Sequence, residues 1–293
     1  MIAACRLMFR YPQSLWSARR NALTALLLCL LLTGCMRIMD TVASGDLSSP
    51  PDGPETPARF GSPFERVAIP SGPSRLVGSL VTAPTDCRSP AAVLIFHGSG
   101  ETVSEWAKAQ AFLYEHCVSS LVFDYRGNGD SGGRASFTAM GEDAQAAYRF
   151  AIDRLGRTGR FYLLGHSMGN GVMLPLAASL AQQPDGVIVA SAFASLNAFI
   201  ARQGFFWRIC AFVMPEIWNN VAAAGRVKAP LLVINSAADK VILVSDGQAI
   251  FDAANQPKSL VVLQGFPHNA IYRTPSEDWW HPVLAFMASV PGG

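Results

Sequence analysis

The sequence predicts an α/β domain, a mostly parallel sheet with helices covering both of its faces. Three observations carry this. From residue 91 onward, apolar runs of strand length alternate with segments of helix length. Two further strand-like runs precede them across a short proline-glycine turn. The pentapeptide Gly165-His166-Ser167-Met168-Gly169 stands directly between an apolar run and a helix-like stretch, the setting a strand-to-helix turn with an exposed serine requires.

The chain opens with a segment that does not belong to this domain. Residues 22–32 are apolar apart from Thr24 and follow Arg19-Arg20. A span needs about 20 apolar residues, so this run is too short and reads as the core of a signal peptide over residues 1–34. Leu32-Thr33-Gly34-Cys35 resembles the lipobox of bacterial lipoproteins, which implies cleavage before Cys35 and its lipidation. An ordinary cleaved signal or an N-terminal anchor is the alternative. With Met36 rather than aspartate after the cysteine, the resemblance implies an exported chain anchored on the periplasmic side of the outer membrane.

Removal of residues 1–34 takes away four arginines and no acid, so the net charge passes from +2 to −2. No run of lysine and arginine remains, which argues against nucleic acid as a partner because phosphate neutralisation needs clustered cations. Residues 35–63 contain Pro50, Pro51, Pro54, Pro57 and Pro63 with few large apolar groups, and are expected to form a flexible tether. The domain proper is residues 64–293.

Its elements follow in order. Residues 65–69 and 76–82 form an antiparallel pair. Strands are expected at 91–96, 119–124, 161–164, 187–190, 231–235 and 260–263. Helices are expected at 104–116, 140–155, 168–182, 246–254 and 276–288. Cys87 and Cys117 each lie just before an inner strand. Adjacent parallel strands would bring them to one end of the sheet, so a Cys87–Cys117 disulfide is expected in an exported chain. Residues 195–227 interrupt the alternation with Phe199, Phe205, Phe206, Trp207, Phe212, Met214 and Trp218. They read as a short helical cap whose apolar face shapes an acyl pocket, or else as an ordinary covering helix with its core aromatics.

The chemistry centres on Ser167. A serine hydroxyl becomes nucleophilic when a base takes its proton and an acid orients that base. Of the histidines, His268 alone follows the last strand in a loop, Gly265 to Asn269. His166 is inside the turn itself, His97 belongs to the turn after residues 91–96, His116 ends a helix, and His281 lies in an amphipathic stretch. Asp239 follows the strand 231–235 by a short turn, at the carboxyl edge of the sheet where catalytic groups gather. Asp246 is the second candidate acid, although its position suits the first turn of a helix better. Two backbone amides suit a developing oxyanion. One is the Met168 N–H at a helix N-terminus; the other is the Ser99 N–H in His97-Gly98-Ser99-Gly100.

The glycine-rich stretch from Asp124 to Gly133 has no lysine and no phosphate-loop spacing, so it reads as a tight turn with Asp124 and Arg126 as a structural pair. Neither a metal nor an organic cofactor is implied. Together, Phe96-His97-Gly98-Ser99, Asp124-Tyr125-Arg126-Gly127-Asn128-Gly129-Asp130-Ser131 and the Ser167 turn resemble the α/β-hydrolase superfamily, most of all its depalmitoylase-related branch. The segments 230–239 and 265–269 resemble that branch's acid and histidine regions. The resemblance implies the α/β-hydrolase fold, a catalytic triad of Ser167, Asp239 and His268, and hydrolysis of an ester or thioester of a small-molecule or acylated substrate. A peptidase or amidase of the same fold, and a non-catalytic lipoprotein that binds through this scaffold, are the alternatives.

Overall fold

A computed structural model describes residue 49 and residues 51–88, 90–156 and 159–290. The expected signal peptide 1–34, Cys35 and residues 36–48 of the expected tether lie outside the described residues. In chain order the elements are β1 (Glu65–Ser71), β2 (Ser74–Val81), β3 (Ala91–Phe96), α1 (Ala107–Glu115), β4 (Val118–Phe123), α2 (Phe137–Leu155) and β5 (Arg160–His166). They continue as α3 (Gly169–Ser179), β6 (Gly186–Ala190), α4 (Leu196–Ala201), α5 (Phe205–Val213), α6 (Asn220–Ala224), β7 (Leu231–Ser236), α7 (Val244–Ala253), β8 (Lys258–Leu263), α8 (Ala270–Arg273) and α9 (Glu277–Ser289).

The eight strands form one sheet in the order β1-β2-β4-β3-β5-β6-β7-β8. The hairpin β1–β2 is antiparallel, and β2 pairs antiparallel with β4 from Gly78↔Phe123 to Val81↔Ser120. All pairs from β4 through β8 are parallel. A parallel strand buried on both faces reads as a continuous apolar run, and every residue of β3 and β4 is buried. Alternation along β3 then sends Leu94 and Phe96 into one core with Met140, Ala144 and Ala147 of α2 and Val172 and Met173 of α3. Val93 and Ile95 enter the other core with Trp106, Leu113 of α1 and Trp280 and Val283 of α9. Helices therefore cover both faces.

The helix starts have local causes. Ser136 and Ser195 accept the Ala139 and Ala198 N–H groups at 3.1 and 3.2 Å, each cap contributing about 1 kcal/mol. At the amino edge of the sheet, Cys87 and Cys117 are joined by a disulfide with Cα atoms 5.7 Å apart, which ties the loop before β3 to the start of β4.

Two expectations are corrected. The described part of the segment 35–63 is packed on the domain. Pro57–Phe60 forms a 3-10 turn, Ser49 donates its N–H to Asn128 Oδ1 at 2.9 Å and its hydroxyl to the Glu101 carbonyl at 2.8 Å, and Asp52 pairs with Arg66 at 3.1 Å. Composition underestimated this segment because polar contacts to the loops after β3 and β4, rather than apolar burial, hold it. The second correction concerns Arg126, whose guanidinium binds Asp143 at 2.8 Å and Glu142 at 2.9 Å. Asp124 instead accepts the Val103 N–H at 2.9 Å and faces His97 Nε2 at 3.5 Å.

Candidate active site

Parallel strands end together, so the loops after β3, β5, β6, β7 and β8 meet at one edge of the sheet. Ser167 follows β5 with φ +51°, a left-handed conformation that costs a residue with a Cβ about 1–2 kcal/mol. The flanking glycines explain how so sharp a turn is packed. A Cβ on Gly169 would collide with the Phe96 carbonyl oxygen, and one on Gly165 would stand 2.6 Å from Asn170 Oδ1. Asn170 holds the turn from behind, donating its side-chain amide to the carbonyls of Ser167 and Ala190 at 3.1 and 2.9 Å. Ser167 is left partly exposed above the sheet, and Met168 stands at the start of α3.

His268 and Asp239 come together from the loops after β8 and β7. His268 Nδ1 lies 2.7 Å from Asp239 Oδ2, while Asp239 Oδ1 accepts the N–H groups of Val241 and Ile242 at 2.8 and 3.0 Å. An ionised carboxylate only accepts, so Nδ1 is the donor in this pair. Burial opposes ionisation of Asp239, but the His268 hydrogen bond and the Ile242 and Val241 amides outweigh it and hold the carboxyl below its ordinary range. Asp246, the other candidate acid, makes a bidentate pair with Arg202 at 2.9 and 2.7 Å and so joins α7 to the end of α4 instead. His116 binds Glu277 and His281 is exposed on α9.

The loop after β3 lies against the serine, since a Cβ on Gly98 would be 3.1 Å from Ser167 Cβ. Ser99 is in this turn, next to Gly100 at φ +73°. Beneath it is a buried cluster that sequence reasoning missed. The Glu101 carboxylate accepts the Gly98 N–H and the Trp106 indole N–H, each at 2.8 Å, and His166 Nδ1 at 2.9 Å. His166 Nε2 in turn lies 3.1 Å from the His268 carbonyl oxygen. His166 is thus held between two acceptors, the Glu101 carboxylate and the His268 carbonyl. Burial pushes against the Glu101 charge, yet His166, His97 and the Gly98 amide prevail and lower its carboxyl below the usual range. Hydrogen bonds through Glu101 and His166 thus fix the β3 loop and the His268 loop together. The available signal was a glutamate three residues beyond Gly98 and a histidine at the end of an inner strand.

The segment 195–227 forms α4, α5 and α6. Trp218 is its anchor: it packs where a Cβ on Gly171 would be 2.6 Å from its ring and lies 4.8 Å from Phe137. The expectation that the aromatic face of the segment shapes an acyl pocket is corrected for α5. Met214 and Trp218 are buried, whereas Phe205, Phe206, Trp207 and Phe212 point outward. Core space above α3 is already filled by Trp218 and Phe193.

Among the described residues, no group of three or more His, Cys, Asp or Glu side chains suits a metal ion, and no helix is long and apolar enough to cross a membrane.

Residues 88–223 match the hydrolase family described as serine aminopeptidase, S33. The lysophosphatidylserine lipase ABHD12 of Danio rerio is 30% identical over 217 residues, covering 62% of this chain and 55% of that protein. An uncharacterised protein of Mycobacterium tuberculosis is 29% identical over 179 residues, covering 61% of this chain and 63% of that one. The chain thus matches between about half and two thirds of the length of these relatives. Among solved structures, the Pyrococcus furiosus esterase Pf2001 superposes with a TM-score of 0.65 at 22% identity, covering 82% of this chain and 98% of the esterase. Est1E from Butyrivibrio proteoclasticus superposes at 0.63 with 18% identity, covering 76% and 98%. From its eight-stranded sheet, its turn at Ser167 and these similarities, the chain has the α/β-hydrolase fold.

Proposed function

We propose that the protein is a serine hydrolase that cleaves a carboxylic ester or thioester through an acyl-enzyme on Ser167. The observation that carries this is the left-handed Ser167 turn beside an Asp239–His268 hydrogen bond of 2.7 Å. His268 Nε2 takes the Ser167 proton as Oγ attacks the acyl carbon. The Asp239 carboxylate keeps the imidazole in the useful tautomer and stabilises the imidazolium. The Ser99 and Met168 amides hold the oxyanion, each such donor contributing about 3–4 kcal/mol in the transition state. His268 then gives its proton to the leaving alkoxide or thiolate, and a water activated by the same ring releases the acid.

The similarity to ABHD12 favours acyl esters of lipids as the first substrates to assay. The similarity to a family described as serine aminopeptidase favours a second reading, a peptidase. Recognition of an amino terminus needs a carboxylate near the serine, and the only acid in 195–227, Glu216, is exposed and engaged by Asn219 at 2.8 Å. Ester cleavage is therefore preferred. We further propose that Cys35 is the lipidated N-terminus of an exported, membrane-anchored chain, as the Leu32-Thr33-Gly34-Cys35 run supports.

Fluorophosphonate labelling of the purified protein tests the catalytic reading. Labelling that disappears in Ser167→Ala and falls sharply in His268→Ala is expected, with turnover of esters of graded chain length. A folded wild type that takes no label would indicate a binding lipoprotein instead. Palmitate incorporation lost in Cys35→Ala tests the anchor separately.

A further inference from the structure

Helix α5 has its apolar side outward. Phe205, Phe206, Trp207, Ile209, Phe212 and Val213 are all exposed, Phe205 at 81% and Phe212 at 89%. Of the ten exposed large hydrophobic side chains among the described residues, six are on this one helix. Two more, Val241 and Leu243, follow Asp239 in the loop after β7. The bidentate Arg202–Asp246 pair ties the end of α4, just before α5, to the first turn of α7 beside Leu243. The apolar groups therefore border the same edge of the sheet as Ser167 and His268.

A patch of this size on a soluble surface marks a contact, and three features select its occupant. The first is charge. Arg208 is the only ionisable side chain on α5 apart from Cys210, and it is exposed. A second copy of α5 laid against this face would oppose two arginines with no acid on either helix to pair them, whereas anionic headgroups would complement them. The second is composition: a short helix with Phe and Trp on one face and a cation at its border suits the headgroup and acyl boundary of a bilayer. The third is where the chain arrives. Ser49 is pinned to Asn128 and to the Glu101 carbonyl, in the loops after β4 and β3, which is the same carboxyl edge. Thirteen residues separate Cys35 from Ser49, and at ~3.3 Å per residue they reach at most roughly 45 Å.

We propose that α5 is a lipid-docking surface that seats its aromatic face in a phospholipid bilayer and turns the Ser167 edge toward it. The inference deepens the function proposed above, and its orientation rests on the anchored reading. An acyl ester would then reach Ser167 from the membrane plane, with Val241 and Leu243 at the rim beside His268.

Trp207 reports the contact directly. The full chain in a Trp16→Phe background is bound to phosphatidylcholine–phosphatidylglycerol vesicles whose acyl chains carry bromine near the headgroup. The remaining tryptophans Trp106, Trp218, Trp279 and Trp280 are buried, so quenching that is lost in Trp207→Phe locates α5. Expected are strong Trp207 quenching, a roughly tenfold or greater loss of vesicle partitioning in the Phe205→Ser/Phe212→Ser variant, and unchanged turnover by that variant of a water-soluble short-chain ester. Unquenched Trp207 on vesicle-bound protein overturns the proposal, as does burial of α5 in a dimer or by residues 22–32, read by sedimentation and cross-linking. Quenching is measured in Ser167→Ala as well, where it persists. Failure of the hydrolase reading is then seen in the fluorophosphonate experiment alone, and failure of the anchor in palmitate incorporation alone.

Discussion

Replacing Glu101 by glutamine should destabilise the domain and slow ester turnover, since this buried carboxylate holds the Gly98 loop and His166 in place. The carboxylate receives three N–H donors, from Gly98, Trp106 and His166, and is 4% exposed. A glutamine offers one acceptor oxygen and an NH₂, so at least one of the three donors would face another donor. Leaving a buried donor without its acceptor costs about 1–3 kcal/mol, more where the lost acceptor was charged. For a domain of this size each kcal/mol shifts the melting temperature by roughly 2–4 °C, so a fall on the order of 10 °C is expected by circular dichroism. The pH dependence has a definite sign. A carboxyl whose folded pKa is depressed contributes stability that is present above its unfolded value, about 4.3, and is lost as pH falls through the folded value. Wild type should therefore lose its advantage over Glu101→Gln as the pH drops below about 4. If the variant melts within about 2 °C of wild type at pH 7, the Glu101 cluster does not hold these loops together.

Asp239→Asn should lower kcat about 10³–10⁴-fold while leaving the fold intact, because the amide permits the wrong His268 tautomer; steady-state kinetics on a soluble ester check this. Mutation of both Cys87 and Cys117 to alanine opens a link across a sequence separation of 30, for which chain entropy gives about 3.5 kcal/mol, measured by urea unfolding. Asp52 carries a raised carboxyl of about 7, through burial first and then the Asp124 and Asp130 charges beside it. A raised carboxyl contributes docking stability that is full below the unfolded value, about 4, and is lost as pH rises through about 7. The exchange protection factors of residues 52–60, taken relative to the base-catalysed intrinsic rates, should accordingly fall between about pH 4 and 7, and Asp52→Asn should remove that fall.

The parallel core was legible because a strand buried on both faces must be an uninterrupted apolar run, as 91–96 and 118–123 are. Element order and the placement of Ser167, Asp239 and His268 at strand ends follow from that pattern plus the glycines of one turn. Helix 137–155 was placed three residues late because its start depends on the Ser136 cap rather than on apolar spacing. Arg126 was paired with Asp124, its sequence neighbour, although the side chain reaches across to Asp143 on α2. The packed arm at Ser49 and Asp52 was misjudged for the same reason: its partners are on loops some 50 to 80 positions away.

What the sequence by itself determined is whatever depends on local periodicity and on the backbone freedom of a few residues: the α/β alternation, the Ser167 turn and the carboxyl-edge loops. Only the tertiary structure decided that Glu101 and His166 meet in a buried hydrogen bond beneath that edge, and that the aromatics of α5 point outward rather than in. Hydrogen bonding and burial are properties of neighbours in space. A phenylalanine in an apolar helix has the same local signature whether it faces a core or solvent, and only packing, here by Trp218 and Phe193, settles which side is full.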